Sequence, residues 1–142
     1  SISRGECLVS TFQFEVVTQE RTVVLTEVEY VSLPGEDGKF GVLKGHVPMM
    51  AALSLGVIEF GPLQGKRRKI ALGGGFMEMH DDRLVVMANT AELAEEIDVL
   101  RARQAKERAE RRLSDRRSDL DFTRAQLALQ KALVRLKVAE LD

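Results

Sequence analysis

The chain has one cysteine, no tryptophan, and only 5% aromatic residues in a length of 142. The single thiol, Cys7, cannot form an intrachain disulfide, so the fold rests on burial and hydrogen bonding, and a reducing compartment fits. Two separated histidines, His46 and His80, give no metal-ligand spacing, so no metal site is expected. No stretch approaches the roughly 18 consecutive apolar residues of a membrane span. A net charge of −1 gives no overall pull toward nucleic acid or an anionic surface. No nucleophile, base and orienting group stand in a recognisable set, so no catalytic residue is assigned. Asp81 and Asp82 read as turn acids rather than a catalytic pair. Met77, Met79 and Met87 read as core fillers.

Glycine and proline are missing from one end. The chain holds 11 Gly and 3 Pro, and none of them lies beyond Asn89. Residues 89–142 are rich instead in Ala, Leu, Glu and Arg. Turn-rich sequence followed by breaker-free sequence predicts a β part and then a helical part. Hydrophobic residues make up 44% of the chain, enough for one compact core. The expected fold is α+β: a β-sandwich of two antiparallel sheets over residues 12–90, then an antiparallel two-helix hairpin over 91–142. Residues 1–11 have little pattern and are expected to be a disordered leader or expression remnant. They lack the long apolar core of a signal peptide.

Within the first part, Phe12, Phe14 and Val16 alternate with Gln13 and Glu15, so one face is buried. Val23–Leu33 is a second β-prone run that ends at Pro34-Gly35. Val57–Phe60 reads as a short strand. Arg68–Leu72 and Phe76–Met79 read as strands on either side of Gly73-Gly74-Gly75. That triplet lacks the Lys-Ser/Thr of a phosphate loop, so a β-bulge or a close backbone approach is expected there. Short strands with turns every eight to twelve residues suggest a sandwich or flattened barrel.

Within the second part, Ala102, Ala105 and Ala109 form one stripe, and Ala125, Leu129, Ala132, Leu136 and Ala139 another. Asn89-Thr90-Ala91-Glu92 resembles an N-cap box, with a start nearer Glu95 as the alternative for the first helix, and Asp121 is placed to cap a second helix from Phe122. The short connection makes the helices antiparallel. Alanine seams bury little, about 0.8 kcal/mol per methyl against about 1.5–3 for a large apolar side chain. Phe122, Leu129, Leu133 and Leu136 are therefore expected to supply most of the attraction. The helices should persist while their docking stays marginal, and a ligand that binds only the docked form adds about 2.7 kcal/mol at 100 times its dissociation constant.

Arg101 and Arg108 share one side of the first helix. Arg124, Lys131 and Arg135 share one side of the second. If the hairpin closes, the two rows converge on a place for an anion. Taken alone, the same spacing also fits solvated surface charge, partly paired with Glu107, Glu110 and Asp98.

Four ordered motifs carry a family resemblance: Gly41–Pro48 (GVLKGHVP), Ile70–Glu78 (IALGGGFME), Ala91–Asp98 (AELAEEID) and the stretch from Ala128 to Ala139. Over about residues 12–142 the chain resembles the epsilon subunits of bacterial F-type ATP synthases. The resemblance implies a non-catalytic subunit at the foot of the central rotor stalk, coupling proton flow to ATP synthesis. It implies the gamma subunit, the c-ring and the alpha/beta catalytic hexamer as partners, and no nucleic acid. Attachment to the cytoplasmic face of the bacterial plasma membrane would be peripheral and only through the complex. The hairpin would inhibit ATP hydrolysis when extended, and its docked form would be stabilised by ATP, alone or with Mg2+. The Ile-Asp-x-x-Arg-Ala motif stands here as Ile97, Asp98, Arg101 and Ala102. Glu92, Arg108, Lys131 and Arg135 would line the same site. Lys131 stands where Arg is usual, keeping the charge but losing the fork. Lys39, Phe40 and His46 would belong to the loop region facing the c-ring. There Lys39 replaces a frequent Glu, and Lys44 a usual Pro.

From the residues alone, the alternative is a non-enzymatic binding module whose basic hairpin grips an acidic partner or nucleic acid. Interleaved acids and the lack of aromatics for base stacking weigh against a nucleic-acid surface.

Overall fold

The computed structural model describes residues 10–115 and 118–140. The expected leader lies almost entirely outside the described residues. Eight strands come first: β1 (Phe12–Val17), β2 (Thr22–Val28), β3 (Tyr30–Gly35), β4 (Gly38–Val42), β5 (Met49–Gly61), β6 (Arg68–His80), β7 (Arg83–Ala88) and β8 (Ala91–Leu93). A single 3-10 turn, Ala94–Glu96, leads to helices α1 (Val99–Ser114) and α2 (Asp119–Glu140). No helix among the described residues is long and apolar enough to cross a membrane.

The strands hydrogen-bond in the order β2-β1-β7-β6-β5-β3-β4, with β8 also on β6. Two 13-residue strands, β5 and β6, belong to both layers of the sandwich. The Met49–Leu53 half of β5 pairs with Gly75–Met79, and β7 continues that layer. The Leu55–Phe60 half pairs with Arg68–Gly73, where β8 and β3 take over. Pairing is antiparallel throughout except between β1 and β7, which run parallel from Gln13↔Arg83 to Val17↔Met87. The core fills the space between layers. Phe14 of β1 meets Phe60 of β5 with ring centroids 5.1 Å apart, and Ile58, Ile70, Leu72, Met77 and Met79 complete it.

One sequence expectation falls short here and another holds in one of its two forms. Val57–Phe60 is only the end of a long strand, while Gly73-Gly74-Gly75 is a place of close backbone approach inside a continuous β6. A strand buried on one face at one end and on the other face at the other has no constant alternation to read. The triplet lies in a continuous strand whose register is the same on both sides of it, Leu53↔Gly75 and Leu55↔Gly73, and Gly74 and Gly75 take positive φ of 88 and 144. At Gly73 the backbone approach is close, because a Cβ there would run into the Thr90 hydroxyl. The Gly73 N–H donates to the Thr90 carbonyl at 2.8 Å.

That approach also decides residues 89–92. They do not open a helix. The Asn89 N–H donates to Gly74 O at 2.9 Å, and Ala91–Leu93 pairs with Leu72–Ile70 as β8. Strand pairing has displaced the local cap. The first long helix is capped instead by Asp98, whose Oδ1 accepts from the Arg101 N–H at 3.1 Å. The cap of α2 moves as well. Ser118 Oγ accepts from the Asp121 N–H at 3.1 Å, so Asp121 lies inside the first turn.

The seam between the helices is built as the stripes predict, from Ala102 and Ala109 against Ala125, Ala132 and Leu136, all buried. Leu133 is an exception at 45% exposure. It follows Ala132 by one residue and so turns about 100° off the seam. Helix α2 rests on β5, β6 and the 3-10 turn, while α1 packs mainly on α2. The contact with the sandwich is small. Ala71, Ala94, Ile97 and Val138 form its buried centre, flanked by Val57, Val134 and Ala139.

Candidate functional site

The linker Glu92–Glu96 places three carboxylates at the junction of sandwich and hairpin, and three arginines from three elements meet them. Arg21, in the β1–β2 turn, grips Glu96 with both terminal nitrogens at 2.8 and 2.9 Å. Arg68 of β6 reaches Glu95 at 3.1 Å. Arg135 of α2 donates through Nη2 to Glu92 Oε2 at 3.1 Å. Its Nε also lies 2.8 Å from Oε1, but the N–H is not aligned, so that contact is Coulombic rather than a hydrogen bond. The Arg21 guanidinium holds the Glu96 carboxyl below the usual carboxylate range. Partial burial opposes the shift, and the Leu93 N–H adds to it. The same pairing raises Arg21 further.

Beside the Glu92–Arg135 pair lies a cavity of about 410 Å³. Its walls come from the β1–β2 turn (Thr18, Arg21), the middle of β6 (Ala71–Gly73), the Asn89–Glu92 segment, and Lys131, Val134 and Arg135 of α2. It is part apolar and carries both signs of charge, with Arg21, Lys131 and Arg135 beside Glu20 and Glu92.

The structure brings Glu92, Lys131 and Arg135 together at this cavity. The other expected residues stand elsewhere. Ile97 is buried in the patch that seats the hairpin on the sandwich. Asp98 is the helix cap. Arg101 is exposed, and Ala102 is fully buried in the seam. Arg108 lines a second cavity, of about 490 Å³, with Arg111, Arg112 and Arg124 among its neighbours. Sequence reasoning missed Arg21 and Arg68, because their partners lie 75 and 27 positions away. The polar cluster Thr18–Arg21 between two strands was their one local signal.

In the region expected to face the c-ring, Lys39 is exposed on β4 opposite Pro34. Phe40 is turned partly inward and packs on the core. His46 makes a local contact, with Nδ1 2.9 Å from the Val47 carbonyl. The outward face of the adjoining sheet is apolar: Met50, Phe76 and Met87 are 72%, 59% and 43% exposed. They sit on neighbouring strands, with Phe76 directly opposite Met87. Among the described residues no cluster of His, Cys, Asp or Glu could hold a metal ion.

Fold and cavity together define a two-part protein, a β-sandwich with a helical hairpin seated on one edge over a cleft of mixed charge. Residues 11–94 match the family described as "ATP synthase, Delta/Epsilon chain, beta-sandwich domain". Residues 95–140 match its counterpart, "ATP synthase, Delta/Epsilon chain, long alpha-helix domain". The chain belongs to the ATP synthase delta/epsilon chain family. It is 45% identical over 131 residues to the ATP synthase epsilon chain of Syntrophomonas wolfei, covering 92% of this chain and 96% of that one. It is 44% identical to the epsilon chain of Desulforamulus reducens, over 94% of this chain and 100% of that one. A chain in the mitochondrial ATP synthase of Euglena gracilis, solved with its c-ring, has the same fold. Its TM-score is 0.77 at 22% identity, over 92% of this chain and 82% of that one.

Proposed function

We propose that this chain is the epsilon subunit in the central stalk of a bacterial F-type ATP synthase. It has no active site of its own. Its sandwich joins the gamma subunit to the c-ring, and its hairpin is a nucleotide-sensing arm that inhibits ATP hydrolysis when released. The observation that carries the arm is the smallness of its seat. Ile97 and Val138 contribute about 1.5–3 kcal/mol each by burial, and the two alanines less. An attraction of that size is close to what a bound ligand adds. The cavity sits at the same seat and takes Lys131 and Arg135 from the arm and Arg21 from the sandwich. A polyphosphate held there bridges both parts and favours the docked form.

The chemistry of the remaining residues supports the reading. Arginines give forked contacts to phosphate oxygens, and a carboxylate such as Asp98 can accept from an adenine amino group. Asp98, Arg101 and Arg108 lie outside the cavity and reach a nucleotide there only with rearrangement of α1, which packs mainly on α2. The exposed Met50, Phe76 and Met87 suit the gamma subunit. The region around Lys39, Phe40 and His46 suits the ring.

Calorimetric titration of the purified chain with MgATP is the test. Saturable heat that weakens in Arg135→Ala is expected. The absence of heat at millimolar ATP removes the sensor and leaves the stalk assignment standing.

A further inference from the structure

Asp82 reaches the Leu43–Pro48 loop from the β6–β7 turn with a side-chain hydrogen bond. The loop contains one tight turn, in which the His46 N–H donates to the Leu43 carbonyl at 3.2 Å. Its third residue, Gly45, has φ +80. A positive φ there marks a type II turn, which is best pre-set by proline at the second position. This chain has Lys44 at that position, so no ring fixes the backbone. The loop also buries little: Leu43 and Val47 are 47% and 69% exposed.

The fixing comes from 37 positions away. Asp82 Oδ1 accepts from the Gly45 N–H at 2.9 Å. Among the described residues, this is the one hydrogen bond that reaches residues 43–47 from another element. Asp82 itself is held on both sides. Its carbonyl accepts from the Gln13 N–H at 3.0 Å. It is also the second residue of the two-residue β6–β7 turn, where Asp81 and Asp82 have φ 52 and 56. Such turns favour glycine at the second position. An aspartate stands there against the backbone's preference, and its carboxylate is used on Gly45.

We infer that Asp82 is a positioning residue. It clamps the Leu43–Pro48 turn and presents Lys44, His46 and Val47 as a formed surface to the partner ring of c subunits. The ring as the occupant rests on the proposed function; the clamp does not.

The test uses Asp82→Gly in the full chain. Glycine suits the turn at least as well and removes only the carboxylate. Exchange of the Gly45 amide, followed by NMR, should quicken about tenfold, the effect of one lost charge-assisted hydrogen bond. The melting temperature should hold or rise. Adding Lys44→Pro to that variant should bring Gly45 back toward the parent rate, because the ring restores the lost restraint. Unchanged Gly45 exchange in Asp82→Gly overturns the clamp, and so does failure of Lys44→Pro to slow it. The ring contact is read apart, by cross-linking from Val47→Cys in the assembled enzyme. Loss of the cross-link in Asp82→Gly, with exchange behaving as above, supports both. No cross-link even with Asp82 intact removes the ring as the occupant, while Gly45 still decides the clamp.

Discussion

Arg21 and Glu96, 75 positions apart, meet through two parallel contacts of 2.8 and 2.9 Å at the point where the sandwich gives way to the hairpin. Glu96 is also tied to its own segment, since Oε1 accepts from the Leu93 N–H at 2.9 Å. The pair fixes where the linker leaves the sandwich and hence where the arm is seated.

This pair makes stability depend on acid. The folded state lowers the pKa of Glu96, chiefly through Arg21. Its contribution is therefore complete above the unfolded value of about 4.3 and is lost as pH falls through the lower folded value. Melting temperature measured from pH 7 to 3 should fall more steeply in the parent than in Glu96→Gln, and the two curves should converge at the acid end. Parallel curves would show that the pair is not felt.

Ile97 and Val138 hold the arm down. Replacing Ile97 by Ala removes most of a buried side chain at the centre of a small patch, at a cost of about 2–4 kcal/mol to docking. Spin labels on α2 and the sandwich should report a longer, broader distance distribution, while the sandwich strands keep their amide protection. The double variant with Val138→Ala should release the arm fully.

Lys131 reaches the cavity as a point charge where a fork would fit phosphate better. Lys131→Arg should tighten MgATP binding about tenfold, equivalent to one improved charge-assisted bond. Calorimetry gives the direct reading. A weaker site in Lys131→Arg would mean that the lysine points away from the phosphates.

Gly73 tests the close approach of β6 to Thr90. Its missing Cβ is what allows Thr90 to approach. Gly73→Ala should cost about 1–3 kcal/mol by overpacking. Most of that should return when Thr90→Ala removes the obstructing hydroxyl, as seen in denaturant midpoints of the single and double variants.

Phe76 tests the apolar face. Its side chain is 59% exposed, so Phe76→Glu should leave the unfolding free energy within about 0.5 kcal/mol of the parent. Co-purification with the gamma subunit should be lost. Retention of gamma would place its contact on another face.

The sequence by itself determined the division into a turn-rich β part and a breaker-free helical part, and it determined the helix seam. Alternation at Phe12, Phe14 and Val16 and the stripes around Ala102 and Ala132 are local periodicities, and such signals survive folding unchanged. Glu92, Ile97–Ala102, Arg108, Lys131 and Arg135 are singled out as a site by family resemblance and not by periodicity, and of these the fold brings Glu92, Lys131 and Arg135 to one cavity. Tertiary structure decided the rest. It turned Asn89–Glu92 from a helix start into a strand, because β6 offered a backbone partner that outweighed a local cap. It carried β5 and β6 through both layers, where the change of buried face erases any single period. It chose the partners of Arg21, Arg68 and Asp82 from distant segments, a choice governed by strand order and not by spacing along the chain.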